Sequence, residues 1–323
     1  MIKNILITGG AGYIGSHVAE ILIKQRKKIF IVDNLSTGHK RLINKKARFY
    51  KTDIFQKDRI NSILNKNKID TVLHLAASLI IEEGEKYPKK YYRNNVLGTE
   101  MLISACVNTK VKNFLFSSTA AVYKDGLFKV TEKSKIKPKS VYGKTKLKAE
   151  KIIVNFCKKN KINYGILRYF NIVGSSKSGK IGLINQGDHL FKNFSKQSLL
   201  KNPVFKIYGT NYKTKDGSCI RDFIHVSDIA EINSKVMNKN DKSKKSKILN
   251  CGYGKGISVK QVANEFSKHT NKNLRIIKCP KRNGDLVKII ALTKNLKKFI
   301  KWRPKFNKLE IMVKSSLKWE KNL

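Results

Sequence analysis

Tyr142 and Lys146 stand four residues apart in Tyr-Gly-Lys-Thr-Lys, opening a stretch that reads as helix to about Lys159. That spacing puts both side chains on one helical face. A tyrosine with an ordinary pKa near ~10 is a poor base at neutral pH. A lysine ammonium a few ångströms away, joined by a positively charged cofactor ring, favours the phenolate and is expected to lower that pKa. Upstream, Ser117-Ser118-Thr119 ends the apolar run Asn113 to Phe116, so Thr119 falls at a strand end. There its hydroxyl can bridge a substrate hydroxyl and the tyrosine. The three together suit removal of a hydroxyl proton while a hydride leaves the same carbon. Alone, Tyr-x-x-x-Lys is a common surface coincidence, so its meaning depends on what the chain places beside it.

The segment Asn4 to Gly15 supplies a place for the hydride acceptor. Ile5-Leu6-Ile7 is an apolar run of the kind that makes a buried parallel strand, and Gly9, Gly12 and Gly15 follow at three-residue spacing before a helix from Ser16 to Lys24. One glycine permits the tight bend, one lets the backbone approach a pyrophosphate, and one lets helix and strand pack closely. The helix start offers free N–H groups to phosphate oxygens. A second strand, Lys28 to Val32, ends in Asp33, whose carboxylate can accept both ribose hydroxyls and repel a 2′-phosphate, so the cofactor is expected to be NAD rather than NADP.

Further strands are expected at Arg48–Lys51, 71–75 and 164–168, with helices at 59–65 and, as one long element, 91–107. Asn34-Leu35-Ser36-Thr37-Gly38 forms a polar turn that could wrap the adenosine. Asp53 could reach the adenine amino group or cap the next helix, and the small Ala76 and Ala77 after a strand end allow close cofactor approach. Alternating strands and helices imply an α/β fold, a doubly wound parallel sheet of Rossmann type with ligands at its carboxyl edge. The division expected is an NAD-binding domain over residues 1–174, rejoined by a segment near 220–240, and a smaller α/β substrate domain over 175–323. Within the latter, short strands are read at 204–208 and 223–225, helices at 226–237 and 259–268, and 175–187 as a loop over a site.

Composition removes several classes of function. The chain has 323 residues and a net charge of +47, but only ten of its 69 basic residues are arginine and the lysines are spread along its whole length. No basic and aromatic platform accompanies them, so specific nucleic-acid binding is not expected, although the field would draw in anionic ligands. The densest run, Lys242 to Lys247, reads as a solvated loop. Five scattered cysteines read as free thiols, and no histidines share ligand spacing, so no metal site is expected. No apolar run would span a bilayer, and Met1 leads almost directly into the first strand; a cytoplasmic protein without membrane contact is expected.

The motifs Thr8 to His17, Asp33-Asn34-Leu35, Tyr91 to Val96, Ser117-Ser118-Thr119 and Tyr142 to Lys146 resemble the extended short-chain dehydrogenase/reductase family. Arg168 to Asn171, Asp216-Gly217, Arg221 to Val226 and Arg282 to Asp285 resemble, within it, the UDP-glucose 4-epimerases, nearly end to end. The resemblance implies that Tyr142, Lys146 and Thr119 are catalytic. It implies that NAD is gripped at Tyr13, Ile14, 33–38, Asp53, Ile54, Leu75 to Leu79, Asn95 and Phe170. It implies that the UDP-sugar meets Asn171, His189, Tyr208, Arg221, Arg282 and Asp285, and that the helices near 95–107 and 144–159 pair two chains into a homodimer. Departures from the pattern are Leu79, where some epimerases carry a lysine, Lys124 in place of glycine, and Ile289 near the position that governs room for N-acetylated sugars. Ala120-Ala121 stands where 4,6-dehydratases, which share fold and cofactor, carry an acidic pair.

Overall fold

A computed structural model gives the fold and describes residues 2–107, 109–184, 187, 189–243, 245–270, 272, 274–281 and 286–323. The chain begins β1 (Asn4–Thr8), α1 (Tyr13–Lys24), β2 (Lys28–Asp33), β3 (Arg48–Lys51), α2 (Lys57–Lys66) and β4 (Thr71–His74). Next come α3 (Ile81–Lys86), α4 (Pro88–Tyr92), α5 (Gly98–Ala105), β5 (Asn113–Thr119), β6 (Lys129–Val130), α6 (Val141–Lys159), β7 (Asn163–Tyr169) and β8 (Asn171–Val173). The remainder is α7 (Leu190–Leu199), β9 (Val204–Tyr208), β10 (Ile220–His225), α8 (Val226–Ser243), β11 (Lys247–Cys251), β12 (Gly256–Ser258), α9 (Val259–Lys268), β13 (Arg275–Cys279), β14 (Lys288–Ala291), α10 (Lys294–Ile300) and α11 (Leu309–Lys321).

Seven parallel strands form the main sheet in the order β11-β7-β5-β4-β1-β2-β3. Alternation along β1 explains its two covers. Ile5 and Ile7 join Val18, Leu22, Ile229 and Val236 of α1 and α8 on one face, while Leu6 joins Ile60, Leu102 and Ile153 of α2, α5 and α6 on the other. The strand order reverses between β1 and β4, which opens a crevice at their carboxyl ends, the usual ligand position in such sheets. A smaller sheet, β12-β10-β14-β6 with β8 also on β10, lies beyond that edge. Beside it β9 and β13 pair in parallel. Here Phe191, Phe194, Phe205, Phe223 and Phe266 form a second core, with the Phe194 and Phe205 rings stacked at 4.1 Å.

Three local departures from the sequence expectation have physical causes. The long helix over 91–107 is broken by a π-helical turn, Arg93–Leu97, between α4 and α5. Such a turn inserts an extra residue and re-aims one side chain, here Asn95. The helix expected to stop at Met237 runs on to Ser243, since Asn240 donates to the Tyr164 carbonyl at 3.0 Å and holds the lysine-rich end against the sheet. The segment 175–184 is not free-standing: Trp319 of α11 donates to the Leu183 carbonyl at 2.7 Å, and Ser175 donates to Ser315 O at 2.7 Å.

Candidate active site

The glycine turn is shaped by what it packs against. Gly9 adopts φ +71°, and a Cβ there would lie 2.7 Å from Ala76 N; a Cβ on Gly15 would lie 2.3 Å from Gly9 O. The turn therefore sits flush on the segment after β4, and α1 begins directly behind it with Tyr13 and Ile14. Across from it, Asp33 accepts from Ala11 N at 3.0 Å and Leu35 N at 2.9 Å. An ionised carboxylate has about four acceptor positions, so two remain for a pair of ribose hydroxyls. Burial raises the Asp33 pKa, and the Leu35 and Ala11 amides oppose that rise. Leu35 itself is left-handed, φ +61°, a costly conformation for a branched residue that the Asp33 bond holds in place. Asn34 bonds Asp53 at 2.8 Å, and Asp53 also accepts from Phe55 N, two residues on. The helix cap is Gln56, so Asp53 closes a turn and does not cap α2. These features fit NAD.

Thr119 is the last residue of β5, opposite Tyr169 of β7. Its hydroxyl accepts from Ala121 N at 3.1 Å and starts a short turn over 120–122. The carbonyl of Ala121 lies 2.5 Å from where a Gly143 Cβ would be, so the glycine after Tyr142 lets α6 begin tight against that turn. Ser140 caps α6 by accepting from Gly143 N, and Glu85 of α3 accepts from Val141 N at 2.8 Å. The structure thus brings Thr119, Tyr142 and Lys146 together. Their protonation in the protein alone differs from the expectation: burial pushes the Tyr142 phenol up to about 12, with the Thr119 hydroxyl pulling it back. Burial also lowers Lys146 to about 7, against the charge of Glu150. Lys146 is 1% exposed, lies 4.0 Å over the Phe116 ring, and among the described residues its ammonium meets no protein acceptor.

The other expected contacts divide. Ile54 is buried in the core beneath α2, and Phe170 lies under β14 with its N–H on Cys251 O. Leu75 donates to Thr8 O, which sets Ala76 and Ala77 at the crevice wall. Ser36, Thr37 and Gly38 follow Leu35, and Gly38 packs against Asp33. Asn95 is 2% exposed, and its amide is fully engaged: it accepts from Ser78 N and donates to Ser78 O and Thr145. It holds the strand-end segment against α6. His189 likewise has both ring nitrogens on backbone, at Ile172 O (2.7 Å) and Lys192 N (3.4 Å), so it supports β8 and α7 rather than offering a ring nitrogen to a ligand. Asn171 opens β8 and is exposed, Tyr208 ends β9, and Arg221 lies on β10 between Ile257 and Ile289. Arg282 and Asp285 lie outside the described residues.

The sequence profile of the NAD dependent epimerase/dehydratase family matches residues 5–252. The chain belongs to that family. A UDP-glucose 4-epimerase of Halalkalibacterium halodurans is 37% identical over 98% of this chain and 95% of its own length. One from Lactobacillus helveticus is 35% identical over 99% and 97%. A crystal structure of UDP-glucose 4-epimerase from Stenotrophomonas maltophila, with NAD and formylated UDP-arabinopyranose bound, superposes with a TM-score of 0.95 at 29% identity, covering 99% of this chain and 98% of that one.

In this epimerase/dehydratase chain two site-building residues make contacts that escape motif reading. His74 is wholly buried between Thr8 (2.7 Å) and Thr99 (2.9 Å), and burial, aided by the Lys146 charge, lowers it to about 3. Tyr13 donates its hydroxyl to Gly174 O at 2.6 Å and ties the glycine turn to the segment after β8. The Thr8–His74 and Tyr13–Gly174 contacts each join residues more than sixty positions apart and have no local sequence signal.

Proposed function

We propose that this protein inverts C4 of a UDP-hexose reversibly, interconverting UDP-glucose and UDP-galactose, and holds NAD permanently for the purpose. The supporting observation is the convergence of Thr119, Tyr142 and an unpartnered Lys146 on the crevice that the glycine turn and Asp33 border. NAD would be held by the turn and the start of α1 around Tyr13 and Ile14, by residues 33–38, Asp53 and Ile54, by Leu75 to Ala77, and by Lys146 and Phe170, with Asn95 acting through Ser78. When bound, it supplies a reversible hydride sink at the sugar carbon. Tyr142 takes the 4-hydroxyl proton and later returns it, and Thr119 bridges that hydroxyl and the phenol. Burial keeps the phenol protonated on its own, so a cationic neighbour has to lower it; Lys146, with no hydrogen-bond acceptor among the described residues, would serve for that and for the ribose. Inversion needs the 4-keto sugar to present either face, so binding energy belongs at the UDP end. Arg221 offers a diphosphate a forked donor, with Asn171 on the adjoining strand and Tyr208, Arg282 and Asp285 carried over by the resemblance.

Residues 175–323 would mainly bind the UDP-sugar, and 1–174 the NAD. Two chains would pair through the helical stretches over 95–107 and 144–159: Leu97 is exposed there, but Ile153 is wholly buried against its own sheet. Light scattering that finds a monomer at micromolar concentration would rule the dimer out. Among the described residues no helix is long and apolar enough to cross a membrane, and a cytoplasmic location is proposed. No specific nucleic-acid partner is proposed.

A second reading, another UDP-sugar, draws on Ile289, which is 5% exposed and packs with Phe170 beside Arg221, and on the UDP-pentose in the Stenotrophomonas maltophila crystal. A 4,6-dehydratase is disfavoured, because the turn after Thr119 carries Ala120 and Ala121 and no acid. The test is incubation with UDP-glucose, UDP-galactose, their N-acetylated forms and UDP-pentoses, with products read by NMR. Conversion confined to the unacetylated hexoses supports the first reading, and turnover of none overturns both.

A further inference from the structure

Behind the Tyr142–Lys146 face lies a buried polar cluster that the reaction scheme above does not use. Glu150, one helical turn beyond Lys146 and 3% exposed, accepts from Arg168 Nε at 3.0 Å and Nη2 at 2.7 Å, and from the Ser118 hydroxyl at 2.5 Å. Arg168 (2% exposed) donates its remaining Nη1 to Tyr123 Oη at 3.1 Å and Glu132 O at 3.3 Å, and Tyr123 donates to Asn250 at 2.6 Å. One carboxylate thereby ties α6 to β5 next to Thr119 and to β7 next to Tyr169. A buried ion pair is weak evidence for stability, since apolar side chains of similar size often serve a core as well. Its placement here points to another purpose.

We infer that Glu150 is a positioning residue for the reaction: clamped by Arg168 and Ser118, it fixes the elements carrying Thr119, Tyr142 and Lys146 and sets a buried carboxylate one helical turn from Lys146. The inference rests on the reading of Tyr142 and Lys146 as the catalytic pair. The charged or titratable groups around Lys146 are Tyr142 and Glu150 on its own helix, His74 from β4, Tyr91 from α4 beside Tyr142, and Arg168 behind Glu150. His74, at about 3, and Tyr142, at about 12, stay uncharged across the neutral range. Only Glu150 opposes the desolvation that pulls Lys146 down to about 7. Without that carboxylate the Lys146 midpoint falls further, the amine is neutral across the working range, and it loses the means to lower Tyr142.

The test uses the holoenzyme with lysine labelled at 13Cε, the Lys146 signal being the one absent from Lys146→Arg. Glu150→Gln keeps the size and the Ser118 bond but removes the charge. It also leaves Arg168 unpaired, so Glu150→Asp, which keeps a carboxylate on a shorter arm, is made alongside. The expected result is a Lys146 midpoint about one unit or more lower in Glu150→Gln, and shifted less, in the same direction, in Glu150→Asp. The alkaline fall of kcat should move with it, while KM for the UDP-sugar stays within about twofold. Lower melting temperatures with an unmoved midpoint and an unmoved alkaline limb in both variants would overturn the inference and leave a purely structural pair. Failure of wild-type turnover on every UDP-sugar would instead overturn the proposed function, and the NMR midpoints would still decide the role of Glu150.

Discussion

The two halves of the molecule are built by different logics. In the seven-stranded sheet, most neighbours are close in chain order and every ladder is parallel, so ligand-facing groups fall one after another at strand ends: Gly9 after β1, Asp33 at the end of β2, Leu75 after β4, Thr119 at the end of β5. In the smaller sheet, β10 gathers β8, β12 and β14, and β14 in turn pairs with β6, drawing together residues from 129 to 291. The first half sets its strand ends by local geometry, and the second is assembled by long-range packing; on the proposed function, the one carries the chemistry and the other the substrate pocket. Damage should therefore read out differently: as lost turnover in the first, as lost stability and substrate affinity in the second.

The largest effect is expected from Tyr142→Phe, which keeps the ring and removes the proton acceptor. Turnover should fall by about 100- to 10,000-fold, with fold and NAD content unchanged. Lys146→Ala should do similar damage and also release NAD more readily. If either variant instead unfolded, the distinction between the halves would fail at its strongest point.

Phe266→Ala probes the other side. Phe266 is wholly buried in the second core, in edge contact with Phe191, Phe194 and Phe205. Its truncation should cost about 3–5 kcal/mol. Denaturant melts should show the loss, and calorimetry should show weaker UDP-sugar binding with NAD retained. Loss of NAD before substrate would break the comparison.

Acid should act through the buried histidines and through Asp222 with opposite signs. Burial holds His17, His74 and His225 down from the usual 6.5 to about 4, 3 and 3. Folded, each binds a proton more weakly than unfolded, so stability falls as pH drops below 6.5, by up to about 2 kcal/mol per histidine at pH 5. Asp222 of β10, buried and accepting from Tyr253, Gly254 and Ala291 amides, is pushed up to about 6 from 3.8. It holds its proton more tightly when folded and recovers part of that loss as pH falls through 6. Net destabilisation between pH 7 and pH 5 is expected in urea titrations, and His74→Asn should blunt it, whereas Asp222→Asn should leave the slope steeper. The smallest effect is expected from Thr119→Val, which keeps the shape and removes one hydroxyl: about tenfold in kcat, with no change in melting temperature.

The same contrast explains what could be read from the chain alone. The bounds of β3, β9 and α9 follow from local pattern, and the glycine turn, Asp33 and Tyr142–Lys146 carry their chemistry in short spacings. What escaped was made by distance or by packing. β11 completes the main sheet from behind a lysine and serine run, and α7 and α11 are polar enough to pass for loop. The π turn at Asn95 depends on Ser78 and Thr145, distant along the chain, while the left-handed Leu35 and the full commitment of His189 to backbone are matters of conformation and packing that residue type does not announce. The lowered Tyr142 pKa was expected from the lysine four residues away, but burial, invisible to spacing, outweighs it in the protein alone.

The most direct test of the central claim follows one hydrogen atom. UDP-galactose carrying deuterium at C4 is converted by the wild-type enzyme, and the UDP-glucose formed is read by NMR and mass spectrometry. The account predicts that deuterium remains at C4, because the hydrogen returns to the carbon it left without meeting solvent. Washout of the label into water, or its appearance at C6 with loss of water, would contradict it.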